Sequence, residues 1–391
     1  MRLLRRLLPL WLAGISIRIT VLSIPPLLPA IHDRLHLDEK AVGLLTALPV
    51  LLLALAAVLG ALVIHRLGAR LALLLGLAGI ALAGAARGIG PSVYVLFPMT
   101  FLMGCGIAIC QPALPALVAQ WLPERVPLGT ATYSNGLLVA EALGAGLTLP
   151  LILPAVGGSW PLALACWSLF VVFTMVVVAA ITRPVPVEAW PARQWWPAWQ
   201  DPQTWKLGLL MGMGAIPYWV PNAFLPDFLR SAGHSELIAV TLTSLNLAQL
   251  PASFVVALVP RLVQRRWPLV LGGVLILAAT AGLLLSAPTL APIWAAALGF
   301  VAGMHFILNL ALTPLIADPG DVHRLSAGIF SISYSLTFLA PLVGGALWDA
   351  TGARGMGFLP VLVGAACVVL LASITDLRRG SSRPSVLPAL V

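Results

Sequence analysis

The sequence predicts an all-α membrane protein, with twelve transmembrane helices arranged as two pseudo-symmetric six-helix bundles. Three observations carry that prediction: composition, the spacing of apolar runs, and an internal repeat. Of 391 residues, 60% are hydrophobic and only 9% are charged. The mean hydropathy is +1.02. A soluble domain carries about 25% charged residues, so this chain could not cover a water-facing surface. Runs of roughly 20 apolar residues recur along its length, the number needed to cross a bilayer as a helix. In lipid every backbone polar group needs an internal partner, which excludes open sheets and leaves helices. The 35 glycines and 33 prolines then read as close packing and kinks rather than as disorder.

In chain order, spans are expected at roughly 7–31, 41–64, 71–90, 93–119, 128–153, 160–181, 206–229, 236–259, 268–287, 291–316, 326–348 and 356–375. The N-terminus, MRLLRRLLPLWLAGIS, has the basic and apolar regions of a signal peptide. Its apolar run continues past Arg18 to Ile31 without a convincing cleavage site, so a retained first membrane helix is expected. Residues 182–206 are the longest non-apolar stretch and hold Trp190, Trp195, Trp196, Trp199 and Trp205. Aromatic rings favour the headgroup region, so this linker is expected on the membrane surface. It divides the chain into bundles at 1–181 and 207–391, the second with a short tail.

Orientation follows from the connections. With both termini cytoplasmic, sixteen Lys/Arg lie inside and four outside, namely Arg34, Lys40, Arg230 and Arg354. Arg18 and Arg87 remain within spans, Arg87 near an outer end where it is expected to snorkel to the headgroups. The net charge of +9 is dispersed among short loops, so no nucleic-acid partner is expected. Cys105, Cys110, Cys166 and Cys367 all lie in apolar runs, without metal-ligand spacing. No metal or other cofactor is expected.

The halves repeat. A shift of 197 residues lays Pro29 on Pro226, Thr46 on Thr243 and Leu48 on Leu245. A shift of 199 lays Phe101 on Phe300, Gly104 on Gly303 and Pro115 on Pro314. The same register continues through Arg125 and Arg324, Gly129 and Gly328, Ser134 and Ser333, and Leu137 and Leu336. Parallel six-helix repeats are one of the organisations secondary transporters use.

The segments PPLLPAI (25–31), GLLTALPVL (43–51), LPALVAQWLPER (114–125), GTATYSNGL (129–137) and FLPDFLRSAGHS (224–235) resemble the major facilitator superfamily. Within it they are similar to the bacterial cyanate/nitroimidazole-permease-type family. The resemblance covers essentially the whole chain and implies transport by alternating access in a bacterial inner membrane. The superfamily's loop pattern between helices 2 and 3 corresponds to residues 61–69. His65 stands there in place of the usual aspartate of the charge-relay gate attributed to that pattern.

The run Gly14–Pro29, GISIRITVLSIPPLLP, places Arg18 mid-span. A charge there costs several kcal/mol unless paired or wetted. It is either a structural charge paired with a carboxylate or an anion clamp, for which a guanidinium's planar fork of donors is suited. Its repeat-equivalent is Ala215, so the charge is not part of the shared scaffold. Glu141 is the carboxylate in mid-span, with Ala340 as its equivalent. It can neutralise Arg18 or titrate as a proton-coupling site. Burial and a neighbouring arginine act in opposite senses on a carboxylate, so the sequence leaves both roles open.

His305, one turn before Asn309, is a satisfied core histidine or a second coupling site. Tyr218, Trp219 and Asn222 lie beside Pro217 and Pro221, where a break in helix 7 is expected. Gln111, Asn135, Asn246, Gln249 and Tyr334 are further polar positions at similar depth. Each alone suits an interhelical hydrogen bond; together they suit a common cavity. Asp227, close to the outer surface, could serve a gate.

No Walker-type phosphate loop or catalytic cluster occurs, which argues against an ATP-driven pump and against an enzyme. The expected function is secondary active transport of a small anion or small polar organic compound, proton-coupled or by exchange, by a functional monomer. An efflux antiporter for drugs or metabolites is the alternative; GLLVAEALGAG at 136–146 is glycine-rich but lacks a Gly-Pro pair. A sensor would need an output domain, for which the residues after about 376 are too few.

Overall fold

The computed structural model describes residues 3–36, 39–182, 194–318 and 320–375. The first span comprises α1 (Leu4–Leu22), a 3-10 turn (Pro25–Leu27) and α2 (Leu28–Leu35). Pro25 and Pro26 lack the N–H that a continuing helix requires, so α1 stops before them. Next come α3 (Glu39–Leu67), α4 (Ala69–Ala86) and α5 (Val93–Trp121). The fifth span is α6 (Val126–Leu147), a π-type turn (Thr148–Ile152) and α7 (Leu153–Ala155), bent by 50°. α8 (Trp160–Ile181) closes the first bundle.

The second bundle begins with α9 (Pro202–Ser231). Its eighth span is split at Gln249 into α10 (Ile238–Leu247) and α11 (Leu250–Leu258), just before the missing donor of Pro251. α12 (Trp267–Leu285), α13 (Ala291–Ile316), α14 (Val322–Thr351) and α15 (Leu359–Ile374) complete it. Among the described residues ten helices are long and apolar enough to cross a membrane, or eleven with the bent pair. The twelfth is α9. Its 30 residues exceed the length of a span, but Tyr218, Asn222, Asp227, Arg230 and three prolines dilute its apolar character.

The expected break in helix 7 is not there. α9 is helical throughout, with Pro217, Pro221 and Pro226 inside it. Pro217 and Pro221 are four residues apart and share a face, so their missing donors fall on one side and the helix can bend without parting. The carbonyl freed by Pro217, that of Met213, packs beside Gly364, where an added Cβ would stand 3.1 Å away. The interruptions fall instead in the first, fifth and eighth spans.

The two bundles use the same packing. In the first, α1 packs on α6, α3 on α5, and α4 on α5 and α8; in the second, α9 packs on α14, α10 on α13, and α12 on α13 and α15. The repeat registers hold at single residues. A Cβ at Gly104 would meet Leu52, and one at its equivalent Gly303 would meet Gln249, the residue 197 positions after Leu52.

The bundles meet through two related pairs, α3 with α14 and α6 with α11. His65 and His323 stack at this interface with ring centroids 6.4 Å apart. Both histidines lie at the helix ends nearer the chain termini. α11, the half of the eighth span nearer that end, packs on α6 far more than α10 does. The interface is therefore closed toward the termini and sparse toward the opposite end. At the usual aspartate position of the loop pattern, His65 thus makes a ring contact with His323 across the two bundles.

Arg87 does not snorkel. Its side chain is 1% exposed and turns inward, Nη2 donating to the Thr20 carbonyl of α1 at 3.1 Å. Gly88 beside it lets α8 approach closely: an added Cβ would be 2.7 Å from the Ala165 Cβ. Of the linker expected at 182–206, residues 183–193 with Trp190 lie outside the described residues, as does the tail from 376. α9 starts within that expected linker because Asp201 accepts from the Gln203 N–H at 2.9 Å and Pro202 is the first helical residue.

Candidate functional site

The site is built on the approach of α1 to α6. A Cβ at Gly14 would fall 2.2 Å from the Tyr133 carbonyl oxygen, and one at Gly136 would fall 2.3 Å from that of Trp11. Only glycine allows backbones this close, the small-residue packing that holds membrane helices together without a hydrophobic drive. One turn further along α1, Arg18 Nη1 donates to Glu141 Oε1 of α6. Arg18 lies 14 residues from the start of α1, about 21 Å along its axis and so deep in a bilayer core roughly 30 Å thick.

The pair is not sealed. Arg18 keeps 19% of its side-chain exposure and Glu141 8%. Glu141 Oε2 has no hydrogen-bond partner. The opposite bundle faces the pair with aromatic and amide groups. The Phe306 ring of α13 has its centroid 6.0 Å from Arg18 Cζ, within cation–π range. Tyr334 of α14 lies beside Arg18, and Tyr218 of α9 lies beside Glu141 and Gln249. Gln249 stands at the α10–α11 interruption, 4% exposed, its Nε2 unpartnered. Gln111 Nε2 of α5 donates to Tyr334 Oη at 3.2 Å and ties the two bundles. Charge thus comes from one bundle, and aromatic faces from the other.

The structure brings Arg18, Glu141, Gln111, Tyr218 and Tyr334 together. Asn135 is a strut beside them: its Oδ1 accepts from Trp11 Nε1 at 2.9 Å, and its Nδ2 donates to Ser253 Oγ of α11 at 2.9 Å. Asn246 Nδ2 donates to Asn222 Oδ1 at 3.0 Å, and Asn222 Nδ2 to the Tyr218 carbonyl at 2.8 Å, one turn from the site.

His305 lies elsewhere. His305 is 1% exposed and fills a slot made by two glycines: an added Cβ at Gly272 would be 2.2 Å from its Nε2, and one at Gly214 would be 3.3 Å from its Nδ1. Asn309 Nδ2 turns back to the His305 carbonyl at 2.8 Å. The next residue, Phe306, is the one that reaches Arg18, and sequence reasoning missed it. An aromatic in an apolar helix carries no signal of its own, and one residue corresponds to a 100° turn of the helix. Asp227 is exposed and paired with Arg230 at 2.9 Å.

Tyr334→Phe tests the tie between bundles. Loss of the Gln111 acceptor should weaken the closed interface by about 1 kcal/mol. Distance measurements between spin labels at the termini-side ends of α3 and α14 should show a larger separated population. A distribution identical to wild type would mean that this bond does not hold the closure.

Two six-helix bundles that share one packing pattern, with a charged pair of the first facing the second, have the architecture of a membrane transporter. The chain belongs to the Major Facilitator Superfamily, whose family model matches residues 10–337. Its relatives are transporters, not enzymes. It is 31% identical over 375 residues to the 2-nitroimidazole transporter of Escherichia coli (strain K12), covering 94% of this chain and 93% of that one. It is 28% identical over 376 residues to the cyanate transport protein CynX of the same organism, covering 94% and 96%. Among solved structures, the human organic anion transporter MFSD10 (TETRAN) superposes with a TM-score of 0.74 at 15% identity, over 94% of this chain and 98% of that one. FucP in its outward conformation superposes with 0.71 at 16% identity, over 94% and 99%. These two likenesses confirm the fold.

Proposed function

We propose that this transporter moves a small anion or small polar organic compound across a bacterial inner membrane, with both termini cytoplasmic. The halves 1–181 and 207–391 rock about the Arg18 site, joined by the linker 182–206. The observation that carries this reading is the geometry of Arg18, which is bound to Glu141 yet partly open, with Tyr218, Tyr334, Gln111, Gln249 and Phe306 around it. A guanidinium has five N–H donors, and Glu141 is bonded to one of its nitrogens, so donors remain for a planar anion or nitro group. The relatives named for cyanate and nitroimidazole carry ligands of that size.

Charge balance supplies a coupling route. In the resting site Arg18 and Glu141 cancel. A monovalent anion adds one negative charge, and a proton on Glu141 restores neutrality. Anion and proton together therefore leave the buried site as neutral as before, which low dielectric favours strongly. Asn135, Asn222 and Asn246 frame the site. His305, held between Gly214 and Gly272, and Asn309, bonded back to the His305 carbonyl, are assigned to the scaffold.

Proteoliposomes preloaded at neutral pH test this with cyanate and 2-nitroimidazole as probes. Uptake should rise as external pH is lowered, and Glu141→Gln should flatten that dependence while keeping binding within about tenfold. An unaltered pH profile in Glu141→Gln would remove the coupling role. Absence of any uptake or exchange across a panel of small anions and nitroheterocycles would remove the substrate class.

A further inference from the structure

Arg87 is the buried cation that the Arg18 site does not use. It sits in the 3-10 turn Arg87–Ile89 after α4. Nη2 donates to the Thr20 carbonyl, but Nε and Nη1 have no acceptor, and no carboxylate among the described residues pairs with it. Beside it are two more buried groups without partners, Thr20 Oγ1 and Ser168 Oγ of α8. A Cβ added at Gly84 would stand 2.3 Å from Ser168 Oγ and 3.7 Å from Arg87 Nη2, so the hydroxyl packs directly against Gly84 with the guanidinium beside it.

Three elements therefore converge donors there without any negative side chain. An arginine does not lose its proton in proteins, and a buried charge requires compensation. The last carbonyls of α1 supply part of it, equivalent to about half a charge.

We propose that Arg87, with the hydroxyls of Thr20 and Ser168, holds a small monovalent inorganic anion of the halide class, at a site separate from Arg18. The two sites flank one helix: two residues correspond to about 200° of turn, so Arg18 and Thr20 face nearly opposite ways from α1. Access comes from the end remote from the termini. A cavity of about 510 Å³ opens there, lined by Arg34, Pro91, Trp160 and Pro161. The Pro161 carbonyl oxygen is 3.5 Å from where a Gly88 Cβ would stand, next to Arg87. A bound halide joins α1, α4 and α8 through one charge and so fixes the helix that presents Arg18.

The test is a halide titration of the purified full-length protein in gluconate buffer, read by thermal unfolding. Chloride and bromide should raise the midpoint saturably in wild type and equally in Arg18→Gln, which separates this site from the transport site. Arg87→Gln should weaken the halide effect at least tenfold. Gly84→Ala, which keeps the guanidinium but drives a methyl into Ser168 Oγ and displaces that hydroxyl, should do the same if Arg87→Gln fails to fold. Bromide-soaked crystals should give an anomalous peak beside Arg87. A wild type indifferent to halide, a halide effect lost in Arg18→Gln, or one preserved in Gly84→Ala overturns the proposal and leaves Arg87 as a cap on the end of α1.

Discussion

Replacing Arg18 by glutamine is expected to abolish substrate binding and to destabilise the protein by about 3 kcal/mol, because it leaves Glu141 buried without its cation. The two effects have different origins and can be separated. Glu141 is 8% exposed, and its second oxygen already lacks a partner, so removing Arg18 leaves a carboxylate that must take up a proton or draw in water. Arg18→Gln/Glu141→Gln removes both charges and should recover most of the lost stability. It should not recover binding, since an amide offers two donors where the guanidinium offered five. Thermal unfolding in detergent, with and without the best anion found in the transport assay, measures both. Ligand-induced stabilisation surviving in Arg18→Gln would make the ion pair purely structural.

The scaffold was more legible than the site, and the reason is physical. Bilayer crossing imposes length and polarity on every span, and the repeat imposes register. The shift of 197 residues equates Leu52 with Gln249, and the shift of 199 equates Gly104 with Gly303; in the folded chain each of those glycines packs on the corresponding partner. Site membership depends on which way a side chain turns, and the sequence encodes that weakly. Depth put His305 and Phe306 side by side, yet only Phe306 faces Arg18. Depth also suggested that Arg87 would reach the headgroups, whereas close helix approach at Gly84 and Gly88 turned it inward. Proline count suggested a break in α9, but shared facing of Pro217 and Pro221 let the helix continue. Arg18 and Glu141 were legible because each is an expensive exception on a repeat that elsewhere keeps alanine, at Ala215 and Ala340. Expense in a low-dielectric core is a signal that composition cannot hide.

Gly14→Val should separate transport-site geometry from fold stability in the opposite direction. The valine Cβ would stand 2.2 Å from the Tyr133 carbonyl oxygen, and ordinary contact needs at least 3.4 Å, so α1 and α6 must part by roughly 1 Å. The obstacle is backbone, which cannot rotate aside. Arg18 lies four residues beyond Gly14 on the same side of α1, so the parting loosens its bond to Glu141 directly. A joint of the second bundle away from the site serves as the control. At Gly273 an added Cβ would be 2.7 Å from Val369 Cγ2 and 3.1 Å from the Ala365 carbonyl oxygen, so Gly273→Val strains α12 against α15 without touching the ion pair or the tyrosines beside it. Both variants are expected to lose about 2–3 kcal/mol, the usual cost of overpacking. Only Gly14→Val should also lose substrate affinity, by at least tenfold, when fractions that remain monodisperse by size-exclusion are titrated. Equal loss of affinity in both would mean that the binding site depends on the general fit of the bundles. Loss confined to Gly14→Val places the determinant in the distance between α1 and α6, the distance that sets whether Arg18 is shared between Glu141 and a ligand.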